Sequence, residues 1–183
     1  MGQALLIIDI QNDYFPGGKY ELYQSEKAAR RARLALDRFR ALGQPVFHVQ
    51  HISLAPGATF FVPDTDGAGI HGSVAPLAGE PVLIKHAPNA FFETGLAQVL
   101  KEKSIDRLTV CGMMSHMCVD TTVRAARDHG LSVTLLADAC ATRDLTWQGQ
   151  VIPAATVHGA YMAALDGSFA RVVSTEEFLK QGN

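Results

Sequence analysis

The stretch Leu108-Thr109-Val110-Cys111-Gly112-Met113-Met114-Ser115-His116-Met117-Cys118-Val119 decides how this chain folds. It opens as an apolar run and breaks at a glycine. It then passes straight into the amphipathic pattern Val119–His129, which Gly130 closes. A buried strand feeding a helix in this way is the repeating unit of a parallel α/β sheet. The runs Ala4–Ile10, Pro45–Gln50, Pro81–Lys85, Ser132–Ala137 and Ala170–Val173 read as further strands. Continuous Val/Ile/Leu runs of this kind suit parallel strands covered on both faces. Between them, Ser25–Leu42 sets Ala28, Ala29, Ala32, Leu36 and Phe39 on one stripe, and Gly43 stops it. Thr94–Lys103 and Val151–Leu165 read as helices in the same way. The alternation predicts a three-layer α/β/α, Rossmann-like fold with right-handed crossovers.

Composition narrows the function. The chain has 183 residues, 48% hydrophobic and 19% charged, with a net charge of −2, which fits one globular domain over residues 1–183. Near-neutral charge argues against nucleic acid as the partner, because phosphate binding needs a basic surface. Three cysteines are too few for a disulfide scaffold and point to a reducing compartment. Met1-Gly2-Gln3 lacks a basic start, and the apolar run after it ends at Asp9. A myristoylation signal would want Ser or Thr where Leu6 stands. No apolar stretch approaches the roughly 20 residues that span a bilayer. The expectation is a cytoplasmic protein with no membrane partner. From His51 to Glu80 the chain is rich in Gly and Pro without sustained periodicity. Such a long loop reads as a functional cover, or else as a solvated insertion.

In open parallel sheets, ligands bind beyond the carboxyl ends of the strands. Asp9 follows the first strand, Lys85 ends the third and Cys118 follows the fourth, so an acid, an amine and a thiol emerge on one edge. At a strand-to-helix junction, free backbone N–H groups and the helix dipole lower a thiol's pKa, and a nearby lysine lowers it further. The same position also suits a small core residue. Asp9 interrupts an apolar strand, which suits a general base as well as a turn aspartate. Lys85 alone reads as an ordinary exposed lysine, His116 as a rival base or a turn residue, and Cys111 and Cys140 as structural. His48 and His51 lie three apart in a strand and point to opposite faces, with His71 and His86 further on. That spacing matches no zinc motif, so no metal and no cofactor are assigned.

Four ordered blocks resemble the isochorismatase-like cysteine hydrolase superfamily, which includes nicotinamidases, N-carbamoylsarcosine amidohydrolase and ureidoacrylate-type amidohydrolases. They are Ala4–Phe15, Val82–Lys85 with Asn89–Leu96, Val110–Val119 and Leu136–Thr142. The resemblance implies a six-stranded sheet ordered 3-2-1-4-5-6. It implies Asp9, Lys85 and Cys118 as a catalytic triad working through a thioester. It further implies a cis peptide before Met114, with the N–H groups of Met114 and Cys118 as oxyanion donors. Nicotinamidases carry Asp-x-His after the second strand, where this chain has His51-Ile52-Ser53, which argues against that metal site and that substrate. Isochorismatases proper cleave an enol ether and need no cysteine, so Cys118 favours acyl chemistry on a C–N bond.

The reading is a metal-independent cysteine amidohydrolase for a small amide, carbamoyl or ureido compound. Gln11, Phe15, Phe60, Phe61 and His116 are the candidate substrate-binding residues. Because the family is commonly oligomeric, a homo-oligomer is expected, with Trp147 and the Leu145–Ile152 stretch at a subunit contact. Two rivals stay open: enol-ether hydrolysis with Asp9 as the acid, and a non-catalytic binding or redox-sensing module built on a reactive thiol.

Overall fold

The computed structural model describes residues 2–180. Six parallel strands form the central sheet. They are β1 (Gly2–Ile8), β2 (Val46–His51), β3 (Val82–Lys85), β4 (Ile105–Met113), β5 (Ser132–Ala141) and, last in the chain, β8 (Arg171–Val173). Their order across the sheet is β3-β2-β1-β4-β5-β8. This is the expected 3-2-1-4-5-6 order, with the sixth place taken by β8 because a small antiparallel hairpin intervenes. Its strands are β6 (Leu145–Trp147) and β7 (Gln150–Ile152). Trp147 sits in β6 with 69% of its surface exposed.

Strand alternation sorts the core into two halves. Ala4, Leu6 and Ile8 face one cluster, where they meet Leu96 and Leu100 of α2 (Leu96–Glu102), Val123 and Ala126 of α3 (Asp120–Asp128), and Met162 and Leu165 of α4 (Ala154–Leu165). Leu5 and Ile7 face the other, against the alanine stripe and Phe39 of α1 (Ser25–Ala41) and Phe178 of α5 (Thr175–Lys180). All five of these β1 side chains are almost fully buried, and each large one contributes about 1.5–3 kcal/mol by leaving water. The sequence pattern made no distinction between the two faces because both are apolar; the period of two separates them only once both are covered.

Two expectations need correcting. β3 is an edge strand, and Val82 and Ile84 on it are 39% and 43% exposed, so coverage on both faces fails there. The last predicted helix starts at Ala154 rather than Val151, because Gln150–Ile152 pairs back on Leu145–Trp147 and Pro153 then opens the helix. Among the described residues no helix is long and apolar enough to cross a membrane.

Candidate active site

Parallel pairing brings the carboxyl ends of β1, β2, β3 and β4 to one edge. Asp9 follows β1 directly and takes a left-handed backbone conformation (φ 51°), its N–H donating to the Val49 carbonyl of β2 at 3.0 Å. A non-glycine residue held there by surrounding structure is the kind of local strain found at functional sites. Lys85 closes β3, in register with His51 of β2. β4 ends at Met113, the Met113–Met114 peptide bond is cis, and a single π-helical turn, Ser115–Val119, presents Cys118 just before α3. Gly112 lets β4 lie this close to β1. Its φ is 140°, and a Cβ there would run into the Ile8 carbonyl.

The three predicted groups meet. The Lys85 ammonium lies 2.7 Å from Asp9 Oδ2 and donates to Cys118 Sγ at 3.2 Å and to the Ala87 carbonyl at 3.1 Å. Asp9 is 0%, Lys85 1% and Cys118 5% exposed. Burial raises the Asp9 pKa, and Lys85 opposes that rise. Burial, then the Asp9 charge, push the Cys118 thiol up against the pull of Lys85. The lowered thiol pKa expected from a helix start is therefore not what the site produces, because desolvation outweighs the dipole. Burial works against the Lys85 charge, yet Asp9 and Cys118 together hold its pKa above the ordinary value. One buried cation can balance one anion. The resting arrangement is an ammonium, a carboxylate and a neutral thiol, and moving the thiol proton to Asp9 leaves the net charge at zero.

His51 is the partner that sequence reading missed. Its Nδ1 lies 2.9 Å from Lys85 Nζ. An ammonium can only donate, so Nδ1 accepts and a neutral ring carries its proton on Nε2. Burial and then the Lys85 charge drop the His51 pKa to about 4, so the ring is neutral at physiological pH. Tyr14, missed as well, is 2% exposed and packs 4.6 Å from Phe61, ring centroid to centroid. The sequence signal for His51 was its place at the end of the strand beside Lys85, which strand order alone exposes.

The candidate pocket residues divide. Phe61 is buried between Tyr14 and His51, and Phe60 stacks on Tyr20 at 4.3 Å. Phe61 reaches the triad through His51, which contacts Lys85, and Phe60 lies one ring further out, 4.9 Å from Phe61 between centroids. Gln11 does not offer its amide to a ligand. Its Oε1 accepts from the His51 N–H at 2.8 Å, and its Nε2 donates to the His51 and Ala68 carbonyls, so it fixes the backbone of His51. Phe15 stacks on His71 with centroids 3.6 Å apart and lines a shallow cavity with Asp13, Lys19 and Asp66. His116 turns its Nδ1 to the Thr142 hydroxyl at 2.6 Å and so is placed as a strut to β5 rather than a base for Cys118. Cys111 and Cys140 are both buried, as structural cysteines are.

The ligand atoms of Asp9, His51 and Cys118 lie within 4.8 Å of one another, a set that could hold a metal ion. The Lys85 ammonium contacts all three of those groups and supplies the positive charge there itself.

The sequence matches the isochorismatase domain family over residues 3–177. It is 54% identical to the uncharacterised isochorismatase family protein YddQ of Bacillus subtilis (strain 168), over 98% of this chain and all of that one. It is 37% identical to a streptothricin hydrolase of Streptomyces noursei, over 78% of this chain and 51% of that protein. Among solved structures, an isochorismatase from Pseudomonas putida KT2440 superimposes with a TM-score of 0.90 at 40% identity, covering 96% of this chain and 89% of that one.

Proposed function

Since the chain belongs to the isochorismatase family of hydrolases, we propose that it is a cysteine amidohydrolase, with Cys118 as nucleophile, Asp9 as general base and acid, and Lys85 as the fixed cation. The observation that carries this reading is the Lys85 ammonium held between the Asp9 carboxylate and the Cys118 thiol, with all three buried. The Cys118 sulfur attacks the substrate carbonyl carbon as its proton passes to Asp9. The developing oxyanion is taken by the backbone N–H groups of Met114 and Cys118. Collapse breaks the C–N bond, and Asp9 returns the proton to the departing nitrogen. Water then attacks the thioester, giving its proton to Asp9, and the acid leaves with the thiol restored. Throughout, Lys85 keeps the site charge balanced, and no step needs a metal or a redox cofactor.

A carboxylate with a raised pKa suits this double role, because a base poised closer to neutrality also returns a proton readily. Enol-ether hydrolysis would leave the Cys118 contact with Lys85 without a purpose. Ammonia release from a panel of primary amides, carbamoyl compounds and ureides tests the reading. It is run with and without a chelator, with Cys118→Ala beside the parent. Release that survives chelator and falls by at least about 10³-fold in the variant is expected. Release untouched by the substitution overturns the Cys118 nucleophile, and chorismate-type enol ethers become the substrates to try.

A further inference from the structure

The outer edge of β5 is left open where the sheet runs out. β8 is three residues long and pairs only with Thr134–Leu136 of β5. From Ala137 to Ala141 no strand among the described residues covers that edge, and the next contact is an isolated bridge between Thr142 and Tyr23. The gap is a cavity of about 290 Å³, near the small end of the range for ligand sites. The first turns of α1 and α4 close it, and no residue of the triad lines it.

Two of its wall residues hold the nucleophile's turn. His158, one turn into α4, places Nδ1 2.8 Å from the Ser115 hydroxyl, and Thr142 holds His116 Nδ1 at 2.6 Å. Ser115 is 0% exposed and opens the π-helical turn that carries Cys118. Its hydroxyl has one proton and two acceptors in reach, His158 Nδ1 and, at 3.3 Å, the Ala141 carbonyl. Burial lowers the His158 pKa, so at neutral pH the ring is uncharged and carries one proton. With that proton on Nδ1, the ring donates to Ser115 and Ser115 donates to Ala141. With it on Nε2, Nδ1 accepts from Ser115 and the longer bond to Ala141 is given up. Nε2 makes no hydrogen bond among the described residues, so what meets it decides where the Ser115 hydroxyl points.

The lining selects an anion with an apolar body. Lys27 has one long contact, 3.4 Å to Gln24 Oε1. Asp138, the one acid in the wall, is already occupied by Arg31 at 3.3 Å and by the Thr175 N–H and hydroxyl at 2.7 Å each. Both flanking helices begin here, and the partial positive charge of a helix start adds to that of Lys27. Ala28, Ala137, Ala141, Ala154 and Ala155 make the rest of the wall small and apolar. A carboxylate can only accept, so it would take the Lys27 ammonium together with a proton on Nε2.

We propose that this cavity is a second binding site, for a small monocarboxylate with an apolar body held by Lys27 and His158, and that its occupant turns the Ser115 hydroxyl onto His158. Exchanging a 3.3 Å contact for one of 2.8 Å tightens the turn that presents Cys118. Ser115 and His158 are then positioning residues that act through that turn. The site goes beyond the amidohydrolase reading, and binding to it does not need that reading to hold.

Benzoate is the probe, with benzyl alcohol as its neutral match. Calorimetric titration of the parent should show benzoate bound at least tenfold more tightly than benzyl alcohol. Lys27→Gln should weaken benzoate at least fivefold, and Ala155→Phe, which fills the cavity from an exposed position, should abolish binding. Both variants should keep the parent's basal turnover. No binding, or equal affinity in the parent and both variants, overturns the site. The coupling is read on whichever amide the ammonia-release panel identifies. Saturating benzoate should raise kcat at least twofold with KM within twofold, and His158→Phe should remove the rise. A rise in KM alone places benzoate at the catalytic centre and overturns the proposal. Alkylation of Cys118 by iodoacetamide, followed on the peptide that carries it, reads the same coupling without turnover and should quicken at least twofold with benzoate. Lys27-dependent binding that moves neither kcat nor alkylation overturns the relay through Ser115. Binding and faster alkylation without hydrolysis of any amide leave the site standing and remove the amidohydrolase reading. Amide hydrolysis with no Lys27-dependent binding does the reverse.

Discussion

The strand ends of β1 and β4 and the segment from His51 to Glu80 build the same site by opposite means. Asp9 and Cys118 are placed by backbone register: β1 and β4 pair over their whole length, and Gly112 lets them close in. The His51–Glu80 segment has two short 3₁₀ turns, Asp66–Ala68 and Gly72–Val74, and is held mainly by single contacts. Phe61 N–H donates to Asp13 Oδ2 at 2.7 Å, His71 N–H to the Ile10 carbonyl at 2.9 Å, and Arg40 grips Glu80 at the far end. A register is over-determined by many bonds, so chemistry that cannot tolerate a displaced atom is best placed on it. A loop held at a few points can change its side chains without moving the triad, which is where selection among substrates belongs.

If that division is right, the largest effect comes from disturbing the charge at the centre. Lys85→Met removes the cation that balances Asp9 and leaves a buried carboxylate beside a thiol. Turnover should fall by about 10³-fold or more, and the Asp9 pKa, already raised, should climb further because its one opposing charge is gone. The check is the pH–rate profile with a labile thioester-forming substrate, together with thiol alkylation. A Lys85→Met enzyme within tenfold of the parent would mean that the ammonium is not part of the chemistry.

Next is the strand crossing itself. Gly112→Ala must place a Cβ against the Ile8 backbone at a φ of 140°, which an L side chain rarely adopts. Neither strand can retreat without breaking the β1–β4 ladder, so the loss of stability should exceed about 2 kcal/mol, read by urea denaturation. The crossing also sets the distance from Asp9 to Cys118. Turnover should therefore drop in the fraction that remains folded, whereas a purely structural glycine would leave kcat per folded molecule unchanged.

A smaller effect is expected at His51. Its Nδ1 accepts from Lys85, and asparagine can offer an oxygen from nearly the same place while leucine cannot. His51→Leu should cost about tenfold in kcat and His51→Asn less than threefold, since one hydrogen bond to a charged group contributes about 1.5–3 kcal/mol. Equal losses in the two variants would show that the ring's bulk against Phe61, not its acceptor, is what matters.

How much of this was legible without coordinates follows the same line. The apolar runs, the helix stops and the positions of Asp9, Lys85 and Cys118 at strand ends are local patterns, and a parallel sheet converts them to proximity by topology alone. The short strands β6 and β7 were missed because three residues carry too little periodicity to register, and the pattern of α4 was extended back over the last two residues of β7, Val151 and Ile152. Gln11 and Phe15 look like pocket residues from their place after β1. Which way each turns is fixed instead by His51, Ala68 and His71, residues some 40 to 60 positions away. The thiol's pKa was misread for a related reason: helix position can be read from sequence, but desolvation cannot.

The smallest effect is at the loop's anchor and separates its two functions. Arg40 holds Glu80 with two 2.7 Å contacts, His48 Nε2 lies 3.0 Å from the same carboxylate, and the Leu77 N–H donates to it at 2.9 Å. The Arg40 hydrogen bonds, against the opposing effect of burial, bring the Glu80 pKa down to about 2. A carboxylate whose pKa is lower in the folded state binds fewer protons there than when unfolded. Its stabilisation is therefore complete above its ordinary value near 4.5 and is lost as pH falls toward 2. Glu80→Gln should cost about 1–2 kcal/mol at pH 7 and progressively less below pH 4, read by urea denaturation at both pH values. Because the anchor holds the loop and not the triad, the variant should raise KM while leaving kcat near that of the parent. A matching fall in kcat would mean that the loop and the strand ends are one mechanical unit, and that the division between them is drawn in the wrong place.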